Sequence, residues 1–195
     1  MNFNYVLQNN NIHYGVLRGN GSIVFIKAGL GGDYLGYENK YLKMACRLNE
    51  QHGCSVIAAS NPHDGKKHSE TDKLVIEQYV AEQRFSLPEL YFFGHSNGGT
   101  KGLELTNAGI RFKKMILVNM PLMLNLHKTR RYIDAIPETS ILAVYGESDP
   151  SFPYVPFLDG KWENVKAITV PKADHNFKGL SEELIGLSDF FMREG

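Results

Sequence analysis

Neither sign of charge is in excess. Lys plus Arg and Asp plus Glu number 21 each, so the chain lacks the basic footprint that neutralises phosphates, and no nucleic-acid partner is expected. Cysteine is scarce. Cys46 and Cys54 are the only two, too few for a disulfide framework, and they read as small buried hydrophobes in a reducing compartment. No apolar run approaches the about 20 residues that a bilayer span requires. The opening residues Met1-Asn2-Phe3-Asn4-Tyr5 place no basic segment ahead of an apolar one, so no secretory leader is expected. These absences point to a cytoplasmic protein without a membrane span.

Ligand patterns for metals and cofactors are also missing. His63, Asp64 and His68 lie close together, but not at the H-x-x-x-H or H-E-x-x-H spacing that sets two ligands on one helix face. They read as solvated loop residues. The run Gly29-Leu30-Gly31-Gly32-Asp33-Tyr34 follows an apolar stretch, yet Tyr34 stands where a dinucleotide loop needs its third glycine. No cofactor and no metal is called for.

What is present is a regular alternation. With 195 residues the chain can bury one full core, so a single domain over residues 1–195 is expected. Residues 3–7 and 12–17 read as a hairpin across Gln8-Asn9-Asn10-Asn11. Strand-like runs follow at 22–26, 55–59, 89–93, 115–118, 141–145 and 165–170. Helical spacing occupies 37–51, 70–85, 100–107, 125–136 and 182–192. A hairpin followed by strand–helix alternation implies an α/β domain with a mostly parallel sheet. Ligands of such sheets sit beyond the carboxyl ends of the strands.

Three of those ends carry chemistry. Gly94-His95-Ser96-Asn97-Gly98 is a G-x-S-x-G motif between a strand and a helix, the context in which that motif has mechanical meaning. The turn forces the serine into a strained backbone, and glycines at −2 and +2 leave the room it needs. Asp149 follows the 141–145 strand in Gly146-Glu147-Ser148-Asp149-Pro150, and His175 follows the last strand in Ala173-Asp174-His175-Asn176-Phe177. A hydroxyl, a carboxylate and an imidazole are the parts of a nucleophilic triad. Asp174, adjacent to His175, points elsewhere and reads as a capping or surface residue. His95 reads as packed or hydrogen-bonded locally.

On these motifs, in the chain order Ser, Asp, His, nearly the whole chain resembles the α/β-hydrolase superfamily. The resemblance implies a mostly parallel twisted sheet with an N-terminal antiparallel hairpin and helices on both faces. It implies Ser96 as nucleophile, His175 as base and Asp149 as the acid that orients it, with the backbone N–H groups of Asn97 and Leu30 as oxyanion donors. Many relatives place His-Gly before the second donor, where this chain has Ala28-Gly29. Only one helix fits between the 115–118 and 141–145 strands, so no separate cap domain is expected. The site is then open, walled by loops near 30–37, 61–68, 121–131 and 151–157. Phe152, Tyr154 and Phe157 are candidates for an acyl pocket. Lys66, Lys67, Lys128, Arg130 and Arg131 could flank the cleft and favour an anionic substrate.

The implied function is serine hydrolysis of a small-molecule carboxylic ester or thioester, or of an acylated substrate, through an acyl-enzyme. Two readings compete with it. One is a binding or signalling protein that keeps the fold without catalysis. The other is an acyltransferase or peptidase working with the same three residues.

Overall fold

The computed structural model describes residues 2–82 and 88–192. In chain order its elements are β1 (Tyr5–Asn9), β2 (Ile12–Leu17), β3 (Ile23–Lys27), α1 (Lys40–His52), β4 (Ser55–Ala59), α2 (Ser69–Glu82), β5 (Leu90–His95), α3 (Asn97–Asn107), β6 (Lys114–Val118), α4 (Leu122–Asp134), β7 (Ser140–Gly146), β8 (Val165–Val170) and α5 (Ser181–Gly186). Short 3-10 segments cover Tyr37–Asn39, Phe152–Phe157 and Leu187–Met192. The strands form one eight-stranded sheet in the order β1-β2-β4-β3-β5-β6-β7-β8. β1 pairs antiparallel with β2 and β2 with β4, while every other pair is parallel.

The central strands are buried at every position of β3, β4 and β6, as a parallel sheet covered on both faces requires. Their period of two divides them between two cores. Ile23, Phe25, Phe92, Met115 and Leu117 face α2, α3 and α4. Val24, Ile26, Phe93, Ile116 and Val118 face α1, α5 and the last 3-10 segment. Helices therefore lie on both faces, and between β6 and β7 the chain builds α4 and no cap.

Several boundaries move from their sequence positions, each for a local reason. The hairpin turn tightens to Asn10 and Asn11, both at positive φ (47° and 66°), the geometry that matches the twist of paired strands and that asparagine tolerates. The helix expected from residue 37 starts at Lys40, because Glu38 and Asn39 are left-handed (φ 53° and 59°). α4 begins at Leu122 and kinks at Asn125 (φ −138°). The expected closing helix 182–192 is α at Ser181–Gly186 and 3-10 beyond it. Residues 83–85 of the expected 70–85 helix lie outside the described residues.

β3 also ends differently from its sequence limit, on Lys27, which is fully buried. Its ammonium meets Asp72 of α2 at 2.7 Å and the Ser60 carbonyl at 2.8 Å. Asp72 also accepts from the Tyr14 hydroxyl at 2.9 Å. Burial pulls the lysine below its ordinary value, and Asp72 opposes that. Asp72→Ala leaves the ammonium without a counter-charge and is expected to cost about 3–5 kcal/mol, whereas Lys27→Met with Asp72→Leu should cost much less. Urea denaturation of both variants measures this, and equal losses would contradict it.

Candidate active site

The sheet's middle strand, β5, stops at His95 and α3 starts at Asn97, so Ser96 alone makes the turn. Its backbone has φ 54° and ψ −126°, outside the regions open to an ordinary side-chain-bearing residue. The strain is held by backbone bonds on both sides. The Ser96 N–H donates to the Val118 carbonyl at 2.7 Å, and its carbonyl accepts from Gly99 at 2.9 Å. A Cβ on Gly94 would meet the Gly99 nitrogen at 2.6 Å and the Gly98 carbonyl carbon at 2.7 Å. Gly98 is needed for a different neighbour: its Cβ would collide with the Lys27 carbonyl and meet the Ala28 carbonyl at 2.6 Å. The second glycine of the motif thus makes room for the end of β3.

The three side chains singled out by their strand ends come together. His175 Nε2 lies 2.9 Å from Ser96 Oγ, and its Nδ1 lies 2.5 Å from Asp149 Oδ2. A carboxylate can only accept, so Nδ1 carries the proton and Nε2 is the acceptor for the serine hydroxyl. The Asp149 side chain is 1% exposed against 41% for His175. Its second oxygen accepts the Ser151 N–H at 2.7 Å. The carboxylate is fixed and dry, and the imidazole faces the opening. Asp174 instead accepts the N–H groups of Asn176 and Lys178 at 2.9 and 3.0 Å, a turn role, and those bonds hold its carboxyl below the usual range.

Two residues beneath His175 were not identified as site residues from sequence. His95 Nε2 meets the His175 carbonyl at 2.7 Å and its Nδ1 meets the Tyr41 hydroxyl at 3.2 Å. The carbonyl fixes a proton on Nε2, and the ring joins α1 to the histidine loop, a longer reach than local packing. Asn119, at the end of β6 with φ 47°, donates to the carbonyls of Asp174 (3.1 Å) and His175 (2.9 Å). Its oxygen accepts the Gly146 N–H at 2.8 Å. It therefore ties the strand that leads to Asp149 to the loop that carries His175. Gly146 lets them touch, since a Cβ there would lie 2.8 Å from the Ala173 carbonyl carbon.

Leu30 is 53% exposed at the lip of a cleft of about 380 Å³ that reaches Ser96 and His175. Asn97 opens α3, where the first N–H groups have no helical acceptor. Asn61, just beyond β4, braces the glycine loop. Its backbone exchanges bonds with Gly31 (2.7 Å) and Gly32 (2.9 Å). Its side-chain amide donates to the Ala28 carbonyl at 3.0 Å and to Asn97 Oδ1 at 3.2 Å. Asn61 and Asn119 share one place in the fold, a buried polar residue just beyond an apolar strand.

No protein-family model matches this sequence, and no curated protein does. Solved structures do. Est1E from Butyrivibrio proteoclasticus superposes with a TM-score of 0.73 at 16% identity, over 96% of each chain. An alpha-beta serine hydrolase homologue from Coxiella burnetii gives 0.67 at 16% identity over 99% of each. A serine hydrolase without lid from Xanthomonas campestris gives 0.61 at 17% identity, over 92% of this chain and 87% of that one. The fold is that of the α/β hydrolases. Within that fold Ser96 makes the turn between β5 and α3, and between β6 and β7 this chain builds α4 alone.

Other sequence expectations for the site are corrected. Phe152 and Tyr154 pack against the core, and Phe157 projects outward at 47% exposure. None of the three lines the cleft, which is walled by residues 29–33, Gly36, Tyr37, Lys40 and Tyr41 together with His95, Ser96, His175 and Asn176. Of the four loops expected as walls, only 30–37 contributes. Lys128 is paired with Glu104 at 2.7 Å, and Arg130 reaches the Phe157 carbonyl at 3.5 Å; neither lines the cleft. His68 pairs with Asp64 at 2.8 Å. No group of three metal-ligating side chains gathers among the described residues, and none of their helices is long and apolar enough to cross a membrane.

Burial, helped by the nearby Lys40 ammonium, pulls His95 down to about 3 from the ordinary value of about 6.5. Between those values the unfolded chain binds a proton that the folded chain refuses. Stability should therefore fall as pH drops through that window, by on the order of 3 kcal/mol from this group by pH 4. Denaturation midpoints of the wild type and of His95→Asn, followed from pH 7 to pH 4, test this. The variant should lose about one proton of slope, and parallel curves would exclude the assignment.

Proposed function

We propose that this protein is a serine hydrolase acting on carboxylic esters or thioesters through an acyl-enzyme. The observation that carries this reading is the unbroken chain Ser96 Oγ, His175 Nε2, His175 Nδ1, Asp149 Oδ2, at 2.9 and 2.5 Å, on a nucleophile turn of hydrolase fold. Serine hydrolases and an esterase domain among its structural neighbours support the class. The small-molecule or acylated ester substrate, the absence of a cofactor and the single-domain organisation over residues 1–195 belong to the same proposal.

In the first half-reaction Ser96 Oγ bonds to the substrate's carbonyl carbon as its proton passes to His175 Nε2. Asp149 stabilises the resulting imidazolium and fixes its orientation. The carbonyl oxygen gathers negative charge toward the N–H groups of Asn97 and Leu30, each such donor typically contributing about 10²–10³ in rate. When the carbon–oxygen or carbon–sulfur bond to the leaving group breaks, His175 returns its proton to that group. In the second half-reaction water attacks the acyl carbon, giving its proton to His175. The acid then leaves, and Ser96 recovers its hydrogen from the imidazolium. Because His95 and Asn119 both hold the His175 carbonyl, the ring starts close to its working position, which lowers the entropy cost of the proton transfers.

Ser96→Ala should lower kcat on 4-nitrophenyl acetate by at least about a thousandfold while leaving the thermal transition near that of the wild type. A variant that hydrolyses the ester at the wild-type rate would refute the mechanism. Asn119→Ala should lower kcat more than it raises KM, since it loosens the base and not the cleft. A reversed split would deny Asn119 its positioning role.

A further inference from the structure

Among the described residues, Lys40 is a cation without an ion-pair partner on the wall of the candidate site. Its residue surface is 4% exposed, yet it lines the same cleft as Ser96, His175 and Tyr37. The ammonium reaches the Asn176 carbonyl at 3.3 Å, beyond the ordinary N–H···O range, and lies 5.4 Å from the centre of the Tyr41 ring. Among the described residues no carboxylate stands within ion-pairing distance of it. Other lysines differ: Lys27 meets Asp72, Lys101 and Lys128 meet Glu104, and Lys113 meets Glu89. Withdrawing an ammonium from water without a partner is costly. Burial pulls Lys40 below its ordinary value, and the field of Asp174 only partly offsets that.

The backbone adds a second observation. Lys40 is the first residue of α1, a 13-residue helix whose first turn holds no acidic side chain and whose cap residue Asn39 makes no side-chain bond. The positive end of the helix dipole thus opens uncompensated beside the cleft. The N–H groups of Lys40, Tyr41 and Leu42 are already bonded to the carbonyls of Tyr37 and Leu35. A ligand therefore meets the ammonium, and the helix contributes field alone. The nearby carboxylates are engaged elsewhere. One oxygen of Asp33 accepts from Leu35 and Gly36 (2.8 and 2.7 Å), and one oxygen of Asp174 accepts from Asn176 and Lys178.

We propose that Lys40 forms an anion subsite of this cleft, so that the preferred ester or thioester carries a carboxylate close to the bond that is cut. The proposal rests on the hydrolase reading of the site and names its substrate class. A carboxylate from the substrate would add an anionic acceptor to the single neutral one, the Asn176 carbonyl, that the chain supplies. In a cleft of about 380 Å³ the scissile group at Ser96 and the charged group at Lys40 belong to one small molecule. A second groove, lined by Tyr37, Asp174, Asn176 and Lys178, shares Tyr37 and Asn176 with the cleft.

The test compares matched esters. Mono-4-nitrophenyl glutarate is set against 4-nitrophenyl pentanoate for an anion on the acyl side, and 3-acetoxybenzoate against phenyl acetate for one on the leaving side. The wild type should favour the charged member of one pair in kcat/KM. Lys40→Met, which keeps most of the apolar stem, should reduce that preference about tenfold or more, the scale of a charge-assisted hydrogen bond. Lys40→Arg should retain it. Charged-to-neutral ratios that are the same in wild type and Lys40→Met for both pairs would overturn the proposal. Calorimetric titration of Ser96→Ala with glutarate and with 3-hydroxybenzoate needs no turnover, so it separates the two claims. Binding that Lys40→Met weakens supports the subsite even if no ester is hydrolysed. Equal binding with and without Lys40, or none, rejects the subsite whatever the enzyme's activity.

Discussion

The arrangement depends on how closely two pieces of backbone approach each other behind Ser96. The end of β3 lies against the first turn of α3 with no space for a methyl group at Gly98, and Gly94 lies against the same turn from below. That contact holds Ser96 at φ 54°, a conformation that costs on the order of 1–3 kcal/mol and persists only where the surroundings over-determine it. The hydroxyl is thereby presented in front of the sheet and not packed along it. Everything else at the site is placed relative to this point.

What surrounds it is a buried polar layer. Lys27, Asn61, His95, Asn119 and Asp149 stand at or just beyond the carboxyl ends of successive neighbouring strands, and each is no more than 4% exposed. They do not form a core of their own, since each is spent on holding a loop. Lys27 holds the Ser60 carbonyl, Asn61 the glycine loop, His95 and Asn119 the histidine loop, and Asp149 the imidazole. Fully bonded polar groups in a low-dielectric setting are rigid, and a rigid surround is what a preorganised site requires. Asn61 follows the same logic: the glycine loop needs a donor, and the strand next to β3 supplies it.

The residues legible in sequence were those whose chemistry and position could be read together. Ser96, Asp149 and His175 each follow an apolar run, and a serine between two glycines at a strand end has few other uses. The parallel sheet was legible because its strands are buried on both faces and so read as unbroken apolar runs. Asn61 and Asn119 were not, because their bonds go to partners distant in the chain, and a single asparagine carries no periodic signal. Phe152, Tyr154 and Phe157 failed for the opposite reason: aromatic character was visible, but the direction of each ring was set by a 3-10 turn that packs two of them inward. The start of α1 was displaced by left-handed Glu38 and Asn39, residues whose types do not announce that conformation.

The account stands most directly on one measurement. The protein and its His175→Ala variant are treated with a fluorophosphonate and digested, the modified residue is mapped by tandem mass spectrometry, and the rates of modification are compared. The account predicts a single adduct on Ser96, formed far more slowly in the variant, which lacks the imidazole that accepts the serine proton. Modification at another residue, or a Ser96 that reacts no faster than free serine, would contradict it.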